Sequence, residues 1–287
     1  MFKNCTSAFI AAAVILIEEL ANKVAIVTGA STGIGEEIAY LYCQSGASVF
    51  IISRRQHVLE KVAKRCLELG GRQVAVYAAD MGVDEDIQAI PQVFKKHFPE
   101  SLVDHLILNH KLENQIGSWR GTAENLTQLY NIINVNFYGY VKIASLMRPF
   151  LEQSAGSIGV VSSASGRSNS PYIISYSSSK HALDGFFAGW RLELEAERSN
   201  VSITYCTLGL IETENMRKEI NNFRFENFNL MSAVSAKDTA TAIVMATVRR
   251  YRELYFPWFE TKIPLLFRYW FPVTLDKITA FLLKAKQ

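Results

Sequence analysis

Short, almost unbroken apolar runs alternate along this chain with stretches in which apolar residues recur every three or four positions. The first pattern predicts buried strands and the second amphipathic helices. The runs lie at 23–28, 48–53, 73–79, 103–108, 157–162 and 201–207. The helical stretches lie at 33–45, 56–69, 83–97, 122–152, 173–198 and 236–250. Strands apolar on both faces need helices on both sides, so the alternation predicts an α/β fold with one doubly wound parallel sheet. No repeat, low-complexity tract or linker divides residues 22–254, which read as a single domain.

The two ends depart from this alternation. Residues 8–17 (AFIAAAVILI) carry no charge and sit between Lys3 and the pair Glu18 and Glu19. A spanning helix needs about 20 apolar residues. The run falls short of that, which leaves a signal-peptide core and a buried helix open; the favoured reading takes residues 1–21 as a short hydrophobic signal anchor, with Lys3 on the cytoplasmic side and the rest of the chain across the membrane. Residues 255–287 form an aromatic and amphipathic extension. Its core, Tyr255 to Pro272, reads equally as a membrane-interface segment and as a dimer contact or pocket lid.

Composition narrows the function classes. The 287 residues include 30 Lys and Arg against 27 Asp and Glu, a net charge of +3, too small to point to nucleic acid. The four cysteines, Cys5, Cys43, Cys66 and Cys206, are scattered, which argues against a disulfide framework or a metal site. A mean hydropathy of +0.09 is explained by the two apolar ends.

Candidate chemistry begins after the first strand. Thr28 is followed by Gly29-Ala30-Ser31-Thr32-Gly33-Ile34-Gly35, which runs into a helix. Such a loop lets the backbone approach a pyrophosphate at the helix N-terminus, as in dinucleotide-binding Rossmann folds. Within it, Gly29 to Gly33 also match the G-x-S-x-G turn of α/β-hydrolases. That chemistry needs a later acid and then a His, and the last His is His181. The hydrolase reading is therefore set aside. The second strand ends in Ser53-Arg54-Arg55, without the carboxylate that would hold an NAD ribose. Arginine suits a 2′-phosphate, so the coenzyme expected is NADP(H), read by Arg54, with Arg55 on a solvated helix start.

Tyr176 and Lys180 are one helical turn apart, and an ammonium beside a phenol favours its ionised form. The spacing alone is weak, because Tyr138 and Lys142 repeat it. Ser163, at the C-terminal end of the fifth strand, lies where open α/β sheets bind ligands, and this context favours Tyr176. Asn136 is a polar candidate near the same edge.

Taken together, the loop Thr28–Gly35, Asn109, Asn136, Ser163 and Tyr176 with Lys180 resemble the short-chain dehydrogenase/reductase family. The resemblance implies Tyr176 as general acid/base and Ser163 as the group orienting substrate. It implies Lys180 on the nicotinamide ribose and Asn136 on a relay water. Gly29, Ser31, Thr32, Gly33, Ile34, Gly35, Arg54, Asp80, Met81, Asn109, Ile211 and Thr213 would complete the coenzyme site. The segments Leu106-Ile107-Leu108-Asn109-His110 and Cys66-Leu67-Glu68-Leu69-Gly70 resemble its 11-beta-hydroxysteroid dehydrogenase branch. Two positions depart from it: Ser170 stands where the steroid-active branch carries an aromatic, and Thr32 where many NADP-linked members carry Lys.

The expectation is therefore an NADP(H)-dependent oxidoreductase interconverting a hydroxyl and a ketone on a small hydrophobic substrate, above all a hydroxysteroid. A broader carbonyl or retinoid reductase is the alternative, and a non-enzymatic membrane-associated protein a more distant one. The resemblance further implies a homodimer at the endoplasmic reticulum membrane with a lumenal catalytic domain. Sequons at Asn4, Asn125 and Asn200 fit that placement, with Asn4 on the unmodified side.

Overall fold

In the computed structural model, which describes residues 18–113, 116–223 and 233–284, a parallel seven-stranded sheet forms the centre. Its strands are β1 (Val24–Thr28), β2 (Ser48–Ser53), β3 (Gln73–Ala78), β4 (His105–Leu108), β5 (Ser157–Ser163), β6 (Ser202–Leu208) and, as the last in chain order, β9 (Glu253–Phe256). The spatial order is β3-β2-β1-β4-β5-β6-β9. The strand order reverses between β1 and β4, which run parallel, and the crevice at their carboxyl ends is where such sheets bind ligands. A two-residue pair, β7 (Ile211–Glu212) with β8 (Val234–Ser235), stands apart.

Each face of the sheet is covered, as the unbroken burial of β1, β2 and β4 requires. On one face lie α1 (Ile34–Gln44), α2 (Gln56–Glu68) and α9 (Ala236–Val248), contributing Ile38, Leu59 and Ile243 to one core cluster. On the other lie α3 (Asp84–Gln88), α4 (Ile90–His97), α5 (Ala123–Ile133), α6 (Gly139–Ser154) and α7 (Ile174–Ala196). There Phe94, Ile143 and Leu183 anchor the second cluster. α8 (Glu214–Phe223) follows β7. The chain then closes with α10 (Trp258–Trp270) and α11 (Pro272–Leu282).

Two expected helices are divided. Residues 83–97 form α3 and α4, with Pro91 in the first turn of α4, where its missing N–H costs nothing. Residues 122–152 are interrupted by a π-helical turn, Asn134–Tyr138, between α5 and α6. Strand β9 straddles residues 254 and 255, where the sequence pattern alone separates domain from extension. The proposed anchor run at 8–17 and the sequon at Asn4 lie outside the described residues. Among the described residues, no helix is long and apolar enough to cross a membrane.

Candidate active site

The phosphate loop is built from its glycines and the helix it opens. Gly33 has φ +64, a left-handed conformation that a side chain would strain. A Cβ on Gly35 would lie 2.3 Å from the Gly29 carbonyl oxygen and 2.5 Å from Asn109 Nδ2, so the helix can approach β1 this closely only with glycine there. Helix α1 has no side-chain cap, which leaves its N-terminal N–H groups for an anion. Asn109 Nδ2 donates to the carbonyls of Thr28 and Gly29 at 3.3 Å each, tying the end of β4 to the loop.

Beyond the loop opens a cavity of about 1110 Å³. A single small-molecule pocket is usually about 300–1,000 Å³, so this cavity is a large one. Gly29, Ser31, Thr32, Gly33, Ile34, Arg54, Asp80, Met81, Asn109, Ser163, Tyr176, Lys180, Ile211 and Thr213 all line it. Gly35 and Asn136 are fully buried behind that wall. The residues present therefore fit a dinucleotide with its pyrophosphate on the loop.

At the adenosine end, both arginines of the Arg54–Arg55 pair line the cavity, and one of them reaches the loop. Arg55 Nη2 donates to Ser31 Oγ at 3.0 Å and to Thr32 Oγ1 at 3.4 Å. Arg54 also lines the cavity but makes no such contact with the loop among the described hydrogen bonds.

At the other end sit the catalytic candidates. Tyr176 and Lys180 lie in the first two turns of α7, and the Lys180 ammonium is 5.7 Å from the centre of the Tyr176 ring. Lys180 is almost fully buried, donates to the Val161 carbonyl at 3.0 Å and stands 5.0 Å from the Tyr140 ring centre. Burial, reinforced by the positive charge of Lys111, pushes it down to about 7. Ser163 ends β5 and accepts from the Ser165 amide at 3.1 Å. Asn136 sits inside the π-helical turn. Its Oδ1 accepts from the Leu112 amide at 2.7 Å, and its Nδ2 reaches Ser179 Oγ at 3.5 Å. The rival pair, Tyr138 and Lys142, lies on the surface, where Tyr138 is half exposed and Lys142 pairs with Asp84.

The loop after β5 is held by Arg167, which sequence reasoning passed over. Its guanidinium pairs with Asp184 of α7 at 2.6 Å and Glu253 of β9 at 3.0 Å, and it lies 4.9 Å from the Tyr205 ring centre. Burial pushes the Glu253 carboxyl up, but the hydrogen bonds and charge of Arg167 outweigh this and hold it at about 2.

The final wall comes from the chain's last helices. Thr261, Pro264 and Leu265 of α10, with Leu275, Ile278 and Leu282 of α11, line the cavity. Part of the segment Tyr255 to Pro272 therefore borders the cavity. The outer side of the same helices is a wide apolar face, with Phe259 70%, Tyr269 80% and Trp270 74% exposed.

Comparison with known proteins fits this arrangement. The sequence profile described as short chain dehydrogenase matches residues 23–224. The chain belongs to the short-chain dehydrogenase family. Within this family it is similar to a hydroxysteroid 11-beta-dehydrogenase 1-like protein of Xenopus tropicalis, 41% identical over 259 residues, covering 90% of this chain and 87% of the relative. The protein of the same description from Danio rerio is 39% identical over 263 residues, covering 91% and 87%. Among solved structures, a family member from Burkholderia phymatum in complex with NAD aligns with TM-score 0.75 and 18% identity, covering 89% of this chain and 96% of that one. The alcohol dehydrogenase of the archaeon Thermococcus sibiricus, complexed with 5-hydroxy-NADP, gives 0.69 and 22%, covering 82% and 95%. The dehydrogenase fold and the oxidoreductase class follow.

Proposed function

We propose that this dehydrogenase uses NADP(H) to interconvert a hydroxyl and a ketone on a hydrophobic substrate of steroid size. The observation that carries this reading is the juxtaposition of a buried Lys180 ammonium and Tyr176 with a cavity whose far wall is apolar. NADPH, when bound, supplies the hydride. Tyr176 then donates its hydroxyl proton to the developing alkoxide, while the Ser163 hydroxyl donates a hydrogen bond to the same oxygen. The Lys180 ammonium stabilises the phenolate that remains. Arg55, supported by Ser31 and Thr32, and Arg54 at the cavity edge supply the positive charge for a 2′-phosphate.

The relatives named for 11-beta-hydroxysteroid dehydrogenation support a steroid substrate, and the exposed aromatic face of α10 and α11 supports membrane association. A homodimer at the endoplasmic reticulum membrane, with the catalytic domain in the lumen, completes the proposal. Asn200 is exposed and Asn125 half-buried, which suits sequon modification. The test follows NADPH and NADH oxidation against keto-steroids, retinals and small carbonyls. Turnover is expected with NADPH and keto-steroids. Turnover confined to retinals or small carbonyls would replace the steroid reading with that of a broader reductase.

A further inference from the structure

His110 is a fully buried titratable residue that the chemistry above does not use. It follows Asn109 at the end of β4 and packs among three elements that carry the site. Its Nε2 lies 3.1 Å from the Val135 carbonyl oxygen, inside the π-helical turn and next to Asn136. A carbonyl can only accept, so Nε2 carries the proton. Its Nδ1 lies 2.9 Å from Thr28 Oγ1, which also accepts from the amides of Asn109 at 3.0 Å and His110 at 3.3 Å. The single hydrogen of Thr28 Oγ1 has two acceptors in reach, the Ile107 carbonyl at 3.3 Å and Nδ1 at the shorter 2.9 Å; given to Nδ1, it leaves the ring neutral with one hydrogen bond on each nitrogen.

The surroundings are shaped to this ring. A Cβ on Gly139, the first residue of α6, would lie 2.9 Å from His110 Nε2. The Tyr140 ring packs at 4.4 Å between centres, and its hydroxyl hydrogen is shared between the His110 carbonyl at 2.9 Å and the Val161 carbonyl at 3.2 Å. That same Val161 carbonyl accepts from Lys180. The ionisable groups facing the ring are therefore Lys180 and Tyr140. Burial, with the Lys180 charge as the second cause, pushes the imidazole down to about 3, although the bond to Val135 opposes this.

From this geometry we infer that His110 is a positioning residue. Its neutral Nε2–H ties the π-helical turn that carries Asn136 to the end of β1, and its ring braces Tyr140 beneath Lys180. A π-helical turn shifts the backbone pairing, and the Val135 carbonyl accepts from a side chain. Losing that donor releases the turn, and with it the aim of Asn136 Oδ1 at Leu112 and of Nδ2 at Ser179. The role is geometric and acts on the rate, because His110 reaches the reacting atoms only through Asn136 and Lys180.

The kinetic arm rests on the proposed reductase reading, while a spectroscopic arm does not. Glutamine places an amide N–H close to the position of Nε2, whereas asparagine reaches only as far as Nδ1. His110→Gln should keep kcat within roughly threefold, and His110→Asn should lower it by about tenfold or more. In both, the KM for substrate and the affinity for NADPH should stay within about twofold, the affinity also reporting that each variant folds. Equal kcat in the two variants would overturn the tether. Nitrogen-15 spectra of the wild-type imidazole should show a proton on Nε2 alone, with no titration from pH 5 to 9. A proton on Nδ1, or titration in that range, would overturn the proposal even if no substrate in the panel were turned over.

Discussion

Keeping the Lys180 ammonium out of water should cost stability that a neutral side chain would recover. The group falls from 10.5 to about 7 on folding, chiefly through burial. For a lysine lowered in this way, the penalty on the charged form is full below the folded value and vanishes above the unfolded one. At about 1.36 kcal/mol per pH unit, the cost is about 5 kcal/mol at pH 6 and about 2 kcal/mol at pH 9. Lys180→Met keeps the length of the stem and removes the charge. It also gives up the bond to the Val161 carbonyl, worth about 1 kcal/mol, though the Tyr140 hydroxyl stays within 3.2 Å of that oxygen. The cofactor-free variant should therefore be more stable than wild type by about 4 kcal/mol at pH 6, and the gain should shrink to about 1 kcal/mol at pH 9. At roughly 2–4 °C per kcal/mol, calorimetry should show a Tm gain larger by about 5–10 °C at the lower pH. Turnover should be lost in the same variant. A Tm difference independent of pH, or a variant less stable at pH 6, would refute the argument that burial sets the state of Lys180.

Other outcomes follow from the same geometry. Tyr176→Phe should lower kcat by about 10²–10⁴-fold and leave NADPH affinity close to wild type, checked by stopped-flow turnover and fluorescence titration. Arg55→Asp should move coenzyme preference towards NADH more than Arg54→Asp does, because among the described hydrogen bonds it is Arg55 that contacts Ser31 and Thr32; the ratio of kcat/KM for the two coenzymes measures this. Glu253 contributes stability above the usual carboxylate value of 4.5 that fades as pH falls towards about 2, so wild type should lose Tm across that window. Arg167→Met removes the partner that holds Glu253 down. It should lower Tm at pH 7 and flatten the acid dependence, both read by calorimetry.

The central sheet is legible in the sequence because strands buried on both sides leave unbroken apolar runs, such as Val24–Thr28 and Ser157–Ser163. The glycine loop, Ser163, Tyr176 and Lys180 are legible for a similar reason, since their chemistry demands fixed residue types at fixed places in those elements. The π-helical turn is not. It adds no marker residue, and the apolar spacing of 122–152 runs through it without a visible shift. Helix α10 is hidden by its exposed aromatics, which blur the contrast between inner and outer faces that normally announces a helix. His110 was overlooked because a histidine in an apolar run has no spacing rule. The one available signal was its place directly after Asn109, at the end of a central strand.

The position of the last cavity wall also has a consequence for biosynthesis. Strands β1 to β6, which carry the glycine loop, Ser163 and the sheet around Lys180, precede residue 209. The strand β9 and the two helices that complete the substrate side lie after residue 252. A domain folds as a unit. The substrate chamber can therefore close only once β9, α10 and α11 have emerged, long after the glycine loop has been made.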